Sequence, residues 1–106
     1  MRYDPDRKLY LAIPDRVRQS VFTDLQLAID ETRNRYLLIE AGWHNDRRIY
    51  GTLIHIDIIG DKIWIQQDGT KEGIANELVN LGISAKQIVL AYKHPERRKI
   101  TDFAVS

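Results

Sequence analysis

The 106-residue chain is long enough for one domain of common size, and its hydrophobic content of 43% supports one core. It has no cysteine, which excludes disulfides, thiolate metal sites and nucleophilic thiols. Sixteen Lys and Arg against fifteen Asp and Glu give a net charge of +1, well below the basic excess of a typical nucleic-acid-binding domain. Residues 1 to 10 contain no apolar signal core, and no run approaches the roughly 20 apolar residues of a membrane span. We therefore expect a soluble, cytoplasmic protein with no membrane partner.

The first third of the chain predicts extended structure. Residues 8 to 14, KLYLAIP, form a short apolar run that Pro14 stops, which is typical of a strand or an extended edge. A polar connection follows. Residues 21 to 30 then alternate, with Leu25 and Leu27 on one side of a half-buried strand.

Three further segments are rich in β-branched and aromatic residues and predict strands. They are residues 35 to 43, 49 to 59 and 62 to 67. Gly60 and Asp61 form a two-residue turn between the last two, which is a strong hairpin signal. The sequence therefore predicts a four-stranded antiparallel meander that ends near residue 67.

One segment has helical periodicity. Between residues 71 and 81, the apolar side chains Ile74, Leu78 and Leu81 recur at helical spacing, and Gly82 occupies the place of a C-terminal glycine. Residues 88 to 92, IVLAY, predict a further strand. The expected fold is α+β: an antiparallel β-meander with one main α-helix packed on the sheet and a further C-terminal strand.

The Gly60-Asp61 turn also predicts which residues face each other in the hairpin. On the core face it pairs Ile58 with Ile63, Ile56 with Ile65 and Ile54 with Gln67. On the opposite face it pairs His55 with Gln66 and Asp57 with Trp64.

A second turn at Asn45 and Asp46 extends the register, placing Glu40 beside Gly51 and Tyr36 beside His55. One polar and aromatic surface is thus predicted, which consists of Glu40, His55, Asp57, Trp64, Gln66 and Asp68. The strand at residues 21 to 30 conflicts with this register, because it brings apolar side chains to the Glu40 side. A bulge or a second covering layer would reconcile the two.

The spacing of His55 and Asp57 permits two interpretations. Side chains two residues apart on a strand share a face, so the pair suits a divalent metal or a base with its orienting carboxylate. A metal-dependent, nuclease-like hydrolase that uses His55, Asp57 and Asp68 is therefore one reading. The other is a face on which these side chains make ordinary hydrogen bonds. We favour the second, and predict no enzyme activity and no cofactor, because no nucleophile and no Asp/Glu-x-Lys motif accompanies the pair.

Asp68 stands where strand gives way to helix. Helix N-termini expose unpaired N–H groups and favour negative charge, so Asp68 or Thr70 is predicted to cap the helix and organise the turn. Phosphate binding is the alternative, but DGTKEG lacks the glycine density and Lys-Ser/Thr ending of a phosphate loop.

Protein-protein contact is the predicted role of the polar and aromatic face. Tryptophan is the residue most enriched at interface hot spots, so Trp43 and Trp64 are predicted to take part in the contact. Basic residues in turns contact phosphates or acidic protein surfaces when they are not simply solvated. The predicted interaction residues are Trp43, Trp64, Glu40, His55, Asp57, Gln66, Arg47 and Arg48.

Several motifs between Asp30 and Val105 resemble the XisI family, the fdxN element excision controlling factors found mainly in cyanobacteria. They are GW followed by RR and YG, the strand HIDI, KIWIQQDGT, GIANELV followed by LGI, IVLAY, and the closing FAV. The resemblance implies an accessory factor for site-specific excision of a DNA element.

The resemblance also implies partners: the sister protein XisH and a site-specific recombinase complex. Direct and indirect contact with DNA both stay open, and indirect contact is the interpretation carried forward. A second copy of the chain is a further candidate partner. Because XisH-like proteins resemble metal-dependent nucleases, an antitoxin-like inhibitor of such a nuclease is an alternative function.

Residues 1 to 20 depart from the family pattern within what we expect to be a single XisI-like domain. XisI-like proteins usually begin with a long amphipathic helix, whereas DPDRKLYLAIPDRVRQSVF resembles a stretch near the end of XisH proteins. We interpret this as a fusion of remnants of the two.

Overall fold

The computed structural model describes residues 23 to 70 and 73 to 106. Within these ranges the elements are β1 (Thr23–Asp30), β2 (Arg35–His44), β3 (Arg47–Ile59), β4 (Lys62–Asp68), α1 (Ile74–Asn80), a 3-10 turn (Ala85–Gln87), β5 (Ile88–Leu90) and α2 (Pro95–Arg98). The predicted α+β fold is confirmed. The extended segment predicted at residues 8 to 14 lies outside the described residues.

The sheet follows the order of the chain, β1-β2-β3-β4-β5. The first four strands are antiparallel, as the meander requires. β5 joins β4 in parallel, with Ile63 opposite Ile88 and Ile65 opposite Leu90, after a crossover that contains α1. Ala104 adds a single parallel bridge to Val89, where the closing FAV segment reaches the edge of the sheet.

Both predicted two-residue turns are present. Gly60 has φ +62°, a conformation that glycine adopts without strain, and the strands close on the pair Ile59 and Lys62. Asn45 has φ +56°, which asparagine tolerates better than most residues.

Helix α1 begins at Ile74 rather than near residue 71, so it is shorter than predicted. Its C-terminus matches the prediction: Gly82 has φ +100° and donates to the Val79 carbonyl at 3.0 Å, and Ile83 donates to the Leu78 carbonyl at 3.1 Å. These two bonds satisfy carbonyls that the helix end leaves without partners.

The core lies between α1 and one face of the sheet. Ile74 and Leu78 of the helix are almost completely buried against the isoleucines of β3 and β4. Among the described residues, the largest fully buried side chains are Ile54, Ile65, Ile74, Leu78 and Ile88 in this core, and Val89, which lies opposite Trp64 and outside it. We call the sheet face opposite α1 the front face.

A bulge in β4 corrects part of the predicted β3–β4 register. The pairs Ile58–Ile63, Ile56–Ile65 and Asp57–Trp64 are as predicted. Gln66 is then an extra residue in β4, so Ile54 lies opposite Asp68, and His55 lies opposite Gln67. The predicted pairs Ile54–Gln67 and His55–Gln66 are therefore wrong.

A second bulge separates the two halves of the β2–β3 pair. Glu40 lies opposite Gly51 as predicted, but Leu53 is an extra residue in β3, and Tyr36 faces Ile56 instead of His55. Tyr36 is consequently part of the core. The bulge also removes the conflict noted for β1. It leaves Glu40 on the helix side of the sheet, so its partner Leu25 lies on the side of the core.

Candidate interaction site

The front face carries four of the six residues predicted to share one surface, namely His55, Asp57, Trp64 and Gln66. Asp57 and Trp64 are directly opposite each other, and the β4 bulge lets Gln66 reach Asp57. The other two, Glu40 and Asp68, belong to the helix side. Glu40 shares its side of β2 with Tyr36 and Leu38 of the core, and Asp68 shares its side with Ile54. The prediction of a single six-residue surface is thus wrong.

Asp57 is the most buried polar residue of the front face, with 7% of its surface exposed. Its Oδ1 accepts a hydrogen bond from Arg35 Nε at 2.9 Å and lies 3.1 Å from His55 Nε2. Its Oδ2 accepts a bond from Gln66 Nε2 at 3.3 Å. Three neighbouring strands thus contribute to one hydrogen-bonded cluster.

Two opposing effects act on the Asp57 carboxyl. Burial raises its pKa, but the hydrogen bonds and charges of Arg35 and His55 outweigh burial and hold the pKa below its ordinary value. The carboxylate is therefore ionised and occupied by its partners, as expected of an organising group within the face.

The hydrolase alternative requires His55, Asp57 and Asp68 on one surface, and the structure does not bring them together. In residues 23 to 70 and 73 to 106, no group of three or more Asp, Glu or His side chains is placed to hold a metal ion.

Trp64 lies half-buried on the front face, covered in part by Arg98. The Arg98 guanidinium carbon is 5.7 Å from the centre of the Trp64 ring. The same guanidinium donates to backbone carbonyls of the C-terminal segment, those of Leu90, Ala91, Lys93 and Val105. Arg98 therefore stabilises the C-terminal segment by hydrogen bonds. Its neighbour Arg97 is exposed.

Trp43 lies at the far end of the front face in a stack that the sequence only partly revealed. Arg48 is opposite Trp43 across the hairpin, and its guanidinium carbon is 5.3 Å from the Trp43 ring centre and 5.8 Å from that of Tyr50. Trp43 is 59% exposed and Tyr50 is 70% exposed. Tyr50 was not among the predicted residues, although its position two residues after Arg48 places both on one face.

This stack lies on the hairpin between β2 and β3, beyond the end of the β4 pairing. The pairing of β4 with β3 reaches only to Ile54. Residues 43 to 50, which we call the β2–β3 arm, pair across this hairpin: Trp43 with Arg48 and His44 with Arg47, while Ile49 and Tyr50 pair with Gly42 and Ala41. Arg47 begins β3 at the tip of the arm and is exposed.

Asp68 organises the turn between β4 and α1. Its Oδ1 accepts bonds from Thr70 N at 2.9 Å and from Thr70 Oγ1, and its Oδ2 accepts a bond from Ile74 N at 2.8 Å. The residue at the N-cap position is Gly73, which has no side chain to supply an acceptor. The carboxylate of Asp68 therefore satisfies an N–H group of the first helical turn in place of an N-cap side chain.

Replacing Asp68 by alanine is expected to lower the free energy of unfolding by about 1–2 kcal/mol, because the helix N-terminus and the turn lose their acceptor. Asp68→Asn keeps one acceptor oxygen and should lose less. Urea titration of the variants measures the difference. Asp102→Ala is a matched control at an exposed aspartate, and a loss there as large as at Asp68 would contradict the assigned role.

None of the helices within the described ranges has the length and apolar character required to cross a membrane.

Comparison with known proteins identifies relatives over most of the chain. The sequence model of the XisI family, described as XisI protein, matches residues 11–105. No curated protein matches the chain. The match begins within the segment for which a resemblance to XisH is predicted, and that resemblance stays a prediction.

Two crystal structures from Anabaena variabilis ATCC 29413 are similar to the chain. A XisI-like protein is 35% identical with a TM-score of 0.75, over 95% of this chain and 91% of that one. The fdxN element excision controlling factor XisI is 32% identical with a TM-score of 0.67, over 87% of this chain and 85% of that one. The chain belongs to the XisI family.

Proposed function

We propose that the protein is a non-catalytic controlling factor for site-specific excision of a DNA element. The observation that carries this proposal is the similarity, over 87% of the chain, to a structure identified as the fdxN element excision controlling factor XisI. The proposal places the protein in the cytoplasm with an XisH-like partner and a recombinase, and its contact with DNA is indirect.

The front face is the proposed contact surface. Trp64 contributes little free area, because Arg98 covers it, so the centre of the surface shifts to Trp43. Tryptophan, tyrosine and arginine are the residues most enriched at interface hot spots, and the β2–β3 arm presents one of each in a single stack. The Asp57 cluster supports the adjoining part of the face by linking β2, β3 and β4.

An excision assay tests the role of the protein. A reporter with a DNA element between its recombination sites is combined with the recombinase and the XisH-like protein, with or without this chain. We expect excision to fall to background when the chain is omitted, and the wild-type chain to co-purify with the XisH-like protein. Full excision without the chain would contradict the proposal.

The absence of catalysis is tested separately. The purified protein with plasmid DNA and Mg²⁺ or Mn²⁺ is expected to leave the DNA intact. Cleavage by the wild-type protein that disappears in His55→Ala would show that the His55–Asp57 pair is catalytic.

A further inference from the structure

We infer that the β2–β3 arm binds a carboxylate-bearing surface of a protein partner, with Arg48 as the central contact between Trp43 and Tyr50. The inference rests on the proposed function, because it names the partner chemistry of the same face. The exposure, the charge and the geometry of the stack each point to this contact without reference to the family.

The stack lies where nothing in the described sheet covers its rings completely. Two large aromatic rings are exposed on an arm whose β3 residues lie beyond the end of the β4 pairing. Such rings gain their full hydrophobic contribution only when a second surface covers them. The cross-strand pair of Trp43 and Arg48 would suffice to brace the hairpin, yet the guanidinium also lies over Tyr50, whose ring is 70% exposed.

The arm carries positive charge that no described acidic side chain pairs with. Arg33, Arg35 and Lys99 each form a salt bridge with an aspartate or a glutamate. Within the described ranges, Arg47 and Arg48 form none, and the hydrogen bond of Arg48 goes to the Gly42 carbonyl at 3.4 Å. In the part of the chain that the structure describes, most N–H donors of the Arg48 guanidinium therefore have no acceptor, which suits a planar acceptor such as a carboxylate.

The stack geometry favours a protein over a nucleic acid. A single strand of nucleic acid binds by stacking its bases on free ring faces along a positively charged groove. Here Arg48 already covers one face of Trp43 and of Tyr50. The basic footprint is also small, because Asp46 lies in the same turn as Arg47 and the whole chain has a net charge of +1. An arginine that packs on aromatic rings suits a protein interface instead, because its guanidinium can stack on the rings and still bind a carboxylate through two N–H groups.

The experiment measures the affinity of the full-length chain for the XisH-like protein by calorimetry, at low and at high salt. Arg48→Ala is expected to raise the dissociation constant by about 30-fold, which is the effect of losing one hot-spot residue. Arg48→Lys keeps the charge without the planar fork and should recover only part of the affinity. Arg97→Ala, at an exposed arginine of α2, is the matched control and should bind like the wild type. Affinity should also fall with salt in the wild type, and fall less in Arg48→Ala.

Thermal melts of each variant separate loss of binding from loss of folding. An unchanged affinity in Arg48→Ala, with the wild-type complex intact, overturns this inference and leaves the proposed function standing. Absence of any wild-type complex overturns both. In a parallel measurement, Arg48-dependent binding of a fluorescent single-stranded oligonucleotide, with the protein complex unaffected, would identify DNA as the occupant and also overturn the inference.

Discussion

Replacing Ile65 by alanine is expected to lower the free energy of unfolding by about 3–4 kcal/mol. Ile65 has no exposed surface, and it lies opposite Ile56 on one side and Leu90 on the other. Removing three carbons from this position leaves a cavity between the sheet and α1 that the surrounding strands fill only in part. Urea unfolding followed by tryptophan fluorescence measures the loss, because Trp64 lies next to the substituted residue.

Ile59→Ala is the control for this substitution. Ile59 ends β3 with 53% of its surface exposed, so the same chemical change there should alter the free energy of unfolding by about 0.5 kcal/mol or less. Equal losses at the two positions would mean that the core is not centred between α1 and the sheet.

Replacing Asp57 by alanine is expected to cost about 2 kcal/mol of stability at neutral pH. The substitution removes the shared acceptor of three side chains, of which Gln66 and His55 are only partly exposed. Arg35 has 45% of its side chain exposed and can turn to water, which keeps the loss below that of a fully buried ion pair.

The pH dependence of stability tests the charge state of Asp57. Its pKa is lower in the folded protein than in the unfolded chain, so its contribution is complete above the unfolded pKa, about 3.9, and is lost as the pH falls through the folded pKa. Urea midpoints measured across this acidic range should therefore fall more steeply in the wild type than in Asp57→Asn. Parallel curves for the two proteins would show that the cluster does not favour the ionised carboxylate.

The sequence predicts the sheet well because its turns and apolar alternation are local. Gly60 and Asp61 determine how β3 and β4 meet, and the three pairs nearest this turn form as predicted. Errors begin at Gln66 and at Leu53, where one strand contains one residue more than its partner. A bulge of this kind depends on how its extra residue packs, and Leu53 packs against the core. No local sequence pattern predicts this packing.

The same bulges limit how much of the candidate site the sequence could predict. Alternation places His55 and Asp57 on one face from sequence alone, whereas the β4 bulge moves Asp68 to the helix side, where it meets Ile74 N. The structural role of Arg98 depends on carbonyls brought together by the fold, which its position in a basic run does not reveal. The sequence alone could place Arg48 and Tyr50 beside Trp43, because their spacing and the Asn45 turn determine the pairing.

The order of the strands has a consequence for synthesis on the ribosome. Hairpins form within about 1–10 μs, so the meander from β1 to β4 has time to assemble as soon as Asp68 is available. Its apolar face has no cover from α1 until Asn80 follows, and at roughly 5–20 residues per second this interval is on the order of a second. During that time the Ile54 and Ile56 surface is exposed on a nascent sheet. Chaperone capture is therefore expected to be strongest on nascent chains from which Asp68 has emerged from the ribosome and Asn80 has not.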